Sequence, residues 1–187
     1  MKKTALYQAI DGGRKAVPQT PIYCSTSNAR LGHGYYFWDS IIDAAHWWGG
    51  VHYGGNYIIC QSFYDAHSDK LFDLLGDLSH RQEFTVFLDG LHKMQPEDMS
   101  LAEVLDIMNA NPKFSQRYWA IRAEFIKMGP SDKNLDITVS LPSQANGRKT
   151  VLHCGNRVQL CVTNLAFLLE GEYTAIYPEY RDASYMA

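Results

Sequence analysis

Gly32-His33-Gly34-Tyr35-Tyr36-Phe37-Trp38-Asp39-Ser40, followed by Ile41-Ile42-Asp43-Ala44-Ala45-His46-Trp47-Trp48-Gly49, is the stretch on which the fold turns. Two glycines precede a short aromatic run, and aromatic residues favour strands. The polar Asp39-Ser40 pair suits a helix N-cap, and apolar residues at helical spacing follow it. The stretch therefore predicts a flexible turn, a strand, and a helix opening at Asp39 or Ser40. Side chains alternate along a strand, so Tyr36 and Trp38 share one face while Tyr35 and Phe37 share the other. Either one face fills a core and the other lines a cleft, or all four rings are core.

The chain around this stretch has 187 residues, enough for one domain with a sizeable core. Hydrophobic residues make up 46% and charged residues 20%, which places it among ordinary globular proteins. A net charge of -3 gives no overall nucleic-acid footprint. No apolar run approaches the roughly 20 residues that span a bilayer, so no membrane partner is expected. Met1 to Ile10 carries two lysines but no long apolar run, and does not read as a signal peptide. Cys24, Cys60, Cys154 and Cys161 form no CxxC pair and no zinc framework. Cys60 and Cys161 lie in apolar runs and read as small core residues, which fits a reducing, cytoplasmic setting.

Leu6-Tyr7-Gln8-Ala9-Ile10 reads as a first strand ended by Asp11-Gly12-Gly13. Arg14 to Val17 is expected as a helical turn before Pro18 and Pro21. Ile22 to Thr26 reads as a second short strand. After Gly49–Gly55, taken as a loop, Asn56 to Tyr64 is strongly strand-like. From Leu71 to Met128 the apolar spacing is helical. Ser100-Leu101-Ala102-Glu103 is a capping-box signature, and Phe114, Tyr118, Ile121 and Phe125 recur at the spacing of one helix face. Residues 70–128 are thus expected to form a helical insertion against a β-rich body. Strands return at Leu135–Val139, Thr150–His153, Arg157–Val162 and Glu172–Tyr177, punctuated by Gly129-Pro130 and Asn146-Gly147. The pattern is α+β.

The Gly32-His33-Gly34-Tyr35-Tyr36-Phe37-Trp38-Asp39 segment resembles the ADP-ribosyltransferase superfamily, in its diphtheria-toxin-like and poly(ADP-ribose) polymerase-like branch. There a Gly-x-Gly-x-Tyr-Phe strand leads into a helix, and a second aromatic ring follows eleven residues after the tyrosine. Tyr36 and Trp47 stand at those two places. The resemblance implies two small antiparallel-rich sheets around a cleft, with NAD as substrate and its nicotinamide held between the two rings. Stacked aromatic rings suit a planar ligand ring and align its glycosidic bond. The resemblance also implies that Gly34, with Gln8 and Ala9 of the first strand, belongs to the NAD-binding positions.

The family carries two further motifs. Its first-strand motif, usually His-Gly-Ser or His-Gly-Thr after an aromatic residue, falls on Tyr7-Gln8-Ala9-Ile10, with Gln8 for histidine and Ala9 for glycine. Tyr23-Cys24-Ser25-Thr26 is a rival placement, and its short spacing to Gly32 makes Gln8 the preferred one. The late motif, a glutamate opening a strand, falls on Val158-Gln159-Leu160-Cys161, with Gln159 in place of the acid. Glu172, and more weakly Glu179, are alternative carboxylates. The resemblance covers about residues 5–64 and 135–177.

Breaking the nicotinamide–ribose bond builds oxocarbenium-like charge on the ribose. Tyr36 and Trp47 would clamp the substrate, and Gln8 and Gln159 would hydrogen-bond ribose hydroxyls. A glutamine in the late motif argues against chain elongation and leaves single transfer. The resemblance thus implies mono-ADP-ribosylation of a nucleic acid or protein, as in bacterial or phage toxins and defence effectors, with an antitoxin-like protein as a further partner. It implies no metal. NAD hydrolysis and a catalytically silent ligand- or partner-binding fold are the rivals. His46, His52, His67 and Cys60 fit no standard metal spacing. Arg117, Arg122 and Lys127, with Arg14 and Lys15, are candidates for a basic surface. No P-loop, dinucleotide-binding glycine fingerprint or Gly-x-Ser-x-Gly elbow is present.

Overall fold

Strands form where aromatic and β-branched residues alternate, and they can be followed through a computed structural model. It describes residues 1–14, 16–26, 29–94, 99–124, 136–142, 149–155, 157–169 and 173–178, with the backbone alone at 136–142 and 149–155. The strands are β1 (Lys3–Asp11), β2 (Tyr23–Cys24), β3 (Gly34–Asp39), β4 (Tyr57–Asp65), β5 (Leu71–Asp73), β6 (Ala120–Glu124), β7 (Asp136–Pro142), β8 (Lys149–Gly155), β9 (Val158–Val162) and β10 (Thr174–Tyr177). The helices are α1 (Ile42–Tyr53), α2 (Leu78–Met94), α3 (Leu101–Ala110) and α4 (Pro112–Arg117). The chain is a mixed α+β structure.

Where two small sheets were expected, eight strands make one sheet in the order β10-β4-β1-β3-β9-β6-β5, with β2 paired to β3. β1 joins what would be two halves, pairing along its whole length with β4 and at Leu6 and Tyr7 with β3. The pairs are antiparallel except β5 with β6, which is parallel. Among the described residues β7 and β8 pair with each other in a separate two-stranded sheet. The β1 edge of β3 is shared. β1 pairs there with Trp38 and Asp39, and β2 takes over at Gly34 and Tyr35.

Register sorts the side chains. On one face, Tyr7 lies opposite Trp38, Trp38 opposite Gln159, and Tyr36 opposite Cys161. α1 covers half of this face, packing Ala44 and Ala45 on Ala9, Trp38 and Ile59. α3 covers the other half, packing Leu105 and Met108 on Phe72, Ile121 and Cys161. On the opposite face, Leu6, Phe37, Tyr64, Leu160 and Val162 pack under Phe167 and Tyr173. Each fully buried Leu, Ile or Phe contributes about 1.5–3 kcal/mol.

Three local expectations change. α1 does not open at Asp39 or Ser40: its N-cap is Ile41, with no side-chain cap. Asp39 is engaged elsewhere. Its carboxylate accepts from Arg122 Nε at 2.7 Å, Tyr64 Oη at 3.1 Å and Ser40 Oγ at 2.8 Å, and it is 3% exposed. α1 also runs through Gly49 and Gly50, stopping at Gly54 in the left-handed conformation that glycine tolerates. Arg14 to Val17 forms no helix over its described residues.

The insertion is shorter than the periodicity implied. Its two ends, β5 and β6, are strands of the main sheet, and helices occupy only 78–117. α4 stops at Arg117, and Ile121 lies in β6, which bonds β5 on one side and β9 on the other. That pairing overrides a local helical period. Phe114, Tyr118 and Ile121 still meet in one cluster, by chain reversal rather than along one helix. Phe125, Gly129-Pro130 and Asn146-Gly147 lie outside the described residues. The capping box at Ser100 and Glu103 forms with both reciprocal bonds. Cys60 and Cys161 are fully buried. Among the described residues no helix is long and apolar enough to cross a membrane.

Candidate functional site

Between the cluster under α1 and the cluster under α3, one polar side chain lies on the sheet. Gln159 stands opposite Trp38 on one side and Ala123 on the other, so it marks the seam. It is 7% exposed, and among the described residues nothing hydrogen-bonds its amide. Its amide atoms are not sealed from solvent, so the head is open to hydrogen bonds from a ligand.

Tyr36 lies on the same face, beside α3. Its hydroxyl donates to the Gly32 carbonyl at 2.7 Å and accepts from the Leu31 amide at 2.6 Å. Asp106 of α3 pins the same turn: it accepts from the His33 amide at 2.9 Å and meets His33 Nδ1 at 3.1 Å. Burial, then the neighbouring Cys161, pushes the Tyr36 phenol well above its ordinary value. Tyr36 can therefore offer a ring and a neutral hydroxyl, not a base. Cys161 beneath it is no nucleophile, because burial pushes its thiol up to about 12. Gly34 is glycine because of that sulfur. A β-carbon there would lie 2.5 Å from Cys161 Sγ and 2.8 Å from the Val162 carbonyl.

Trp47 comes from α1. It meets Trp38 nearly at right angles with centroids 6.0 Å apart, and Trp48 at 6.1 Å. The Arg157 guanidinium lies over its ring, 4.3 Å from the centroid. Tyr36 and Trp47 are thus on one face of the sheet but in two clusters, with Gln159 at the join.

Gln8 lies apart from this arrangement, while Ala9 is in the cluster of Trp38 and Trp47. Alternation places Gln8 with Leu6 and Ile10, on the face opposite Tyr7 and Trp38. Its amide is saturated. It donates to the Ile22 and Tyr36 carbonyls at 3.0 and 3.1 Å, and accepts from the Ile22 amide at 2.9 Å and the Tyr173 hydroxyl at 2.7 Å. These bonds fill the gap where β3 exchanges β1 for β2, so Gln8 serves as a backbone surrogate there. Ala9 is buried under α1, and its backbone is paired with Ile59. The rival Cys24 is opposite Gly34, on the face of Tyr36, with its sulfur 3.5 Å from Thr26 Oγ1. Cys24 thus lies on the face of Tyr36 and Gln8 on the other. Glu172 and Glu179 lie outside the described residues.

The other constellations have structural uses. His46 Nδ1 is 2.9 Å from Tyr57 Oη, and His52 stacks on Trp48 at 3.7 Å. Among the described residues no group of three or more metal-ligating side chains gathers. Arg117 pairs with Glu83, and Arg122 is held by Asp39 and Asp73, so these two form no basic surface. Lys15 and Lys127 are outside the described residues. A separate cavity of about 280 Å³, lined by Glu83, Phe87, Met108, Lys113 and Arg117 among others, opens between the insertion helices.

Sequence reasoning missed Arg157 and Asp106. Arg157 had a signal, since it precedes Gln159 by two residues and alternation puts both toward one face. Asp106 had none, because only the docking of α3 brings it to His33. No family model matches the chain, and no curated protein matches it.

Proposed function

We propose that the seam on this sheet binds NAD and that the protein is a mono-ADP-ribosyltransferase. It would cleave NAD at the nicotinamide–ribose bond and transfer ADP-ribose to a macromolecular acceptor, nucleic acid or protein, as a toxin or defence effector does. The observation that carries the reading is Gln159: a largely buried residue whose amide still meets solvent and makes no hydrogen bond among the described residues, on the same face as Tyr36 and Trp47. The three positions come from adjacent elements, and they are the three that the resemblance assigns to nicotinamide and ribose. In this reading Tyr36 and Trp47 flank the nicotinamide, and Gln159 hydrogen-bonds the ribose hydroxyls as charge develops. Cys24 and Thr26, rather than Gln8, occupy the first-motif place. Gln159 carries no charge to set against the ribosyl cation, so turnover is slow and selective. The helices at 78–117 are the part outside the resemblance, and would meet the acceptor or an inhibitory protein.

The test is incubation of the purified chain with adenylate-labelled NAD, separately with cellular RNA, DNA and protein. Label joining one pool supports the reading and names the acceptor class. Free ADP-ribose alone would make the protein an NAD glycohydrolase. Intact NAD in every arm, with no NAD binding, would leave a silent fold. Two observations favour that last alternative: the saturation of Gln8 and the cation over Trp47.

A further inference from the structure

We propose that Arg157 is the gate of the nicotinamide subsite: its guanidinium holds the face of Trp47 that the nicotinamide cation would take. NAD binding then requires Arg157 to withdraw. This rests on the reading of the seam as an NAD site, and adds the residue that controls access to it.

Arg157 is 1% exposed and is among the largest fully buried side chains. Its guanidinium carbon lies 4.3 Å from the Trp47 ring centroid, well inside the range of cation–π attraction of about 6 Å. It stands at the head of β9, two residues before Gln159, so it reaches Trp47 from the strand that bears the unpartnered amide.

The chemistry makes the contact a competition. Guanidinium is a planar, delocalised, permanent cation. The oxidised nicotinamide ring is also planar and carries a delocalised positive charge. The same negative face of the indole attracts both. They cannot share it, because two cations at stacking distance repel. NAD therefore binds only the fraction of molecules in which Arg157 has left, and its apparent affinity falls in proportion to that fraction. The neutral ring of the reduced dinucleotide gains less from the indole, so it displaces Arg157 less well.

The experiment is calorimetric titration of the intact protein with NAD, wild type beside Arg157→Met, which keeps length and removes charge. Melting curves confirm that both are folded. Arg157→Met is expected to bind NAD about tenfold tighter, the gain when an open state of one in ten becomes the whole population. If Arg157→Met does not fold, the wild type still decides. Its Arg157 Nε–H resonance, identified by its loss in Arg157→Lys, is shifted by the indole ring current, and saturation with NAD should abolish that shift. Equal or weaker binding by folded Arg157→Met, or an Arg157 signal unmoved at NAD saturation, overturns the gate while leaving NAD binding in place. Absence of NAD binding by wild type and variant alike overturns the underlying reading, and the gate with it.

Discussion

Replacing Gln8 by alanine separates a structural amide from a functional one. Four groups would lose their partner: the Ile22 amide and carbonyl, the Tyr36 carbonyl and the Tyr173 hydroxyl. A buried polar group left unsatisfied costs about 1–3 kcal/mol. Gln8 is 6% exposed, but Ile22 and Tyr173 are only half-buried, so water recovers part of the loss. The sum comes to about 3 kcal/mol, a large share of the roughly 5–15 kcal/mol typical of a folded domain. For a chain of this size that is about 6–12 °C in melting temperature. Urea unfolding and thermal melts of Gln8→Ala would read it, and Tyr173→Phe should be less than additive with it because the two share a bond. Gln8→Glu should be at least as harmful, since it loses both donated bonds and sets a carboxylate oxygen against two carbonyls. A loss below about 1 kcal/mol in Gln8→Ala would refute the claim that this amide stands in for strand pairing.

Gly34→Ala should destabilise by about 1–3 kcal/mol, because the new methyl meets Cys161 Sγ and the Val162 carbonyl. Cys161→Ala in the same background should recover part of that in a thermal melt, and no recovery would count against sulfur as the obstacle. Asp65, Asp77 and Glu103 are held below their ordinary values of 3.8, 3.8 and 4.5, chiefly by hydrogen bonds from the Lys2 amide, the Ser79 hydroxyl and the Ser100 hydroxyl respectively. Their contribution is complete above those ordinary values and is lost as pH falls through the lowered ones, so melting temperature should drop on acidification below about pH 4.5. Glu103→Ala should flatten that slope, and an unchanged slope would contradict the assignment. Cys60 and Cys161 are fully buried, and burial raises both thiols, so iodoacetamide at pH 8 should leave them unmodified in the folded protein while labelling half-buried Cys24. Peptide mapping that finds native Cys161 alkylated first would contradict the packing beneath Gly34.

The strand at Gly34–Asp39 and the helix after it were legible because an aromatic run and an apolar period sit side by side in the chain. The helix start was not, since Asp39 looks like a cap until Arg122, 83 residues away, claims its carboxylate. β6 was illegible for a similar reason: its partners β5 and β9 lie on either side of it in sequence, and neither announces the pairing. Gln8 and Gln159 look alike in sequence, each a glutamine within an apolar strand. What distinguishes them is remote. Gln8 is met by Ile22, 14 residues on, and by Tyr173, 165 residues on. Gln159 falls at the seam between two clusters, a place set by how α1 and α3 dock.

The most direct test is nicotinamide release from NAD by the wild type and by Gln159→Ala, measured side by side with melting curves. The account predicts release by the wild type, a loss of about tenfold or more in the variant, and melting curves that nearly coincide, since no bond to the Gln159 amide is removed. No release by the wild type, or full release by Gln159→Ala, would contradict it.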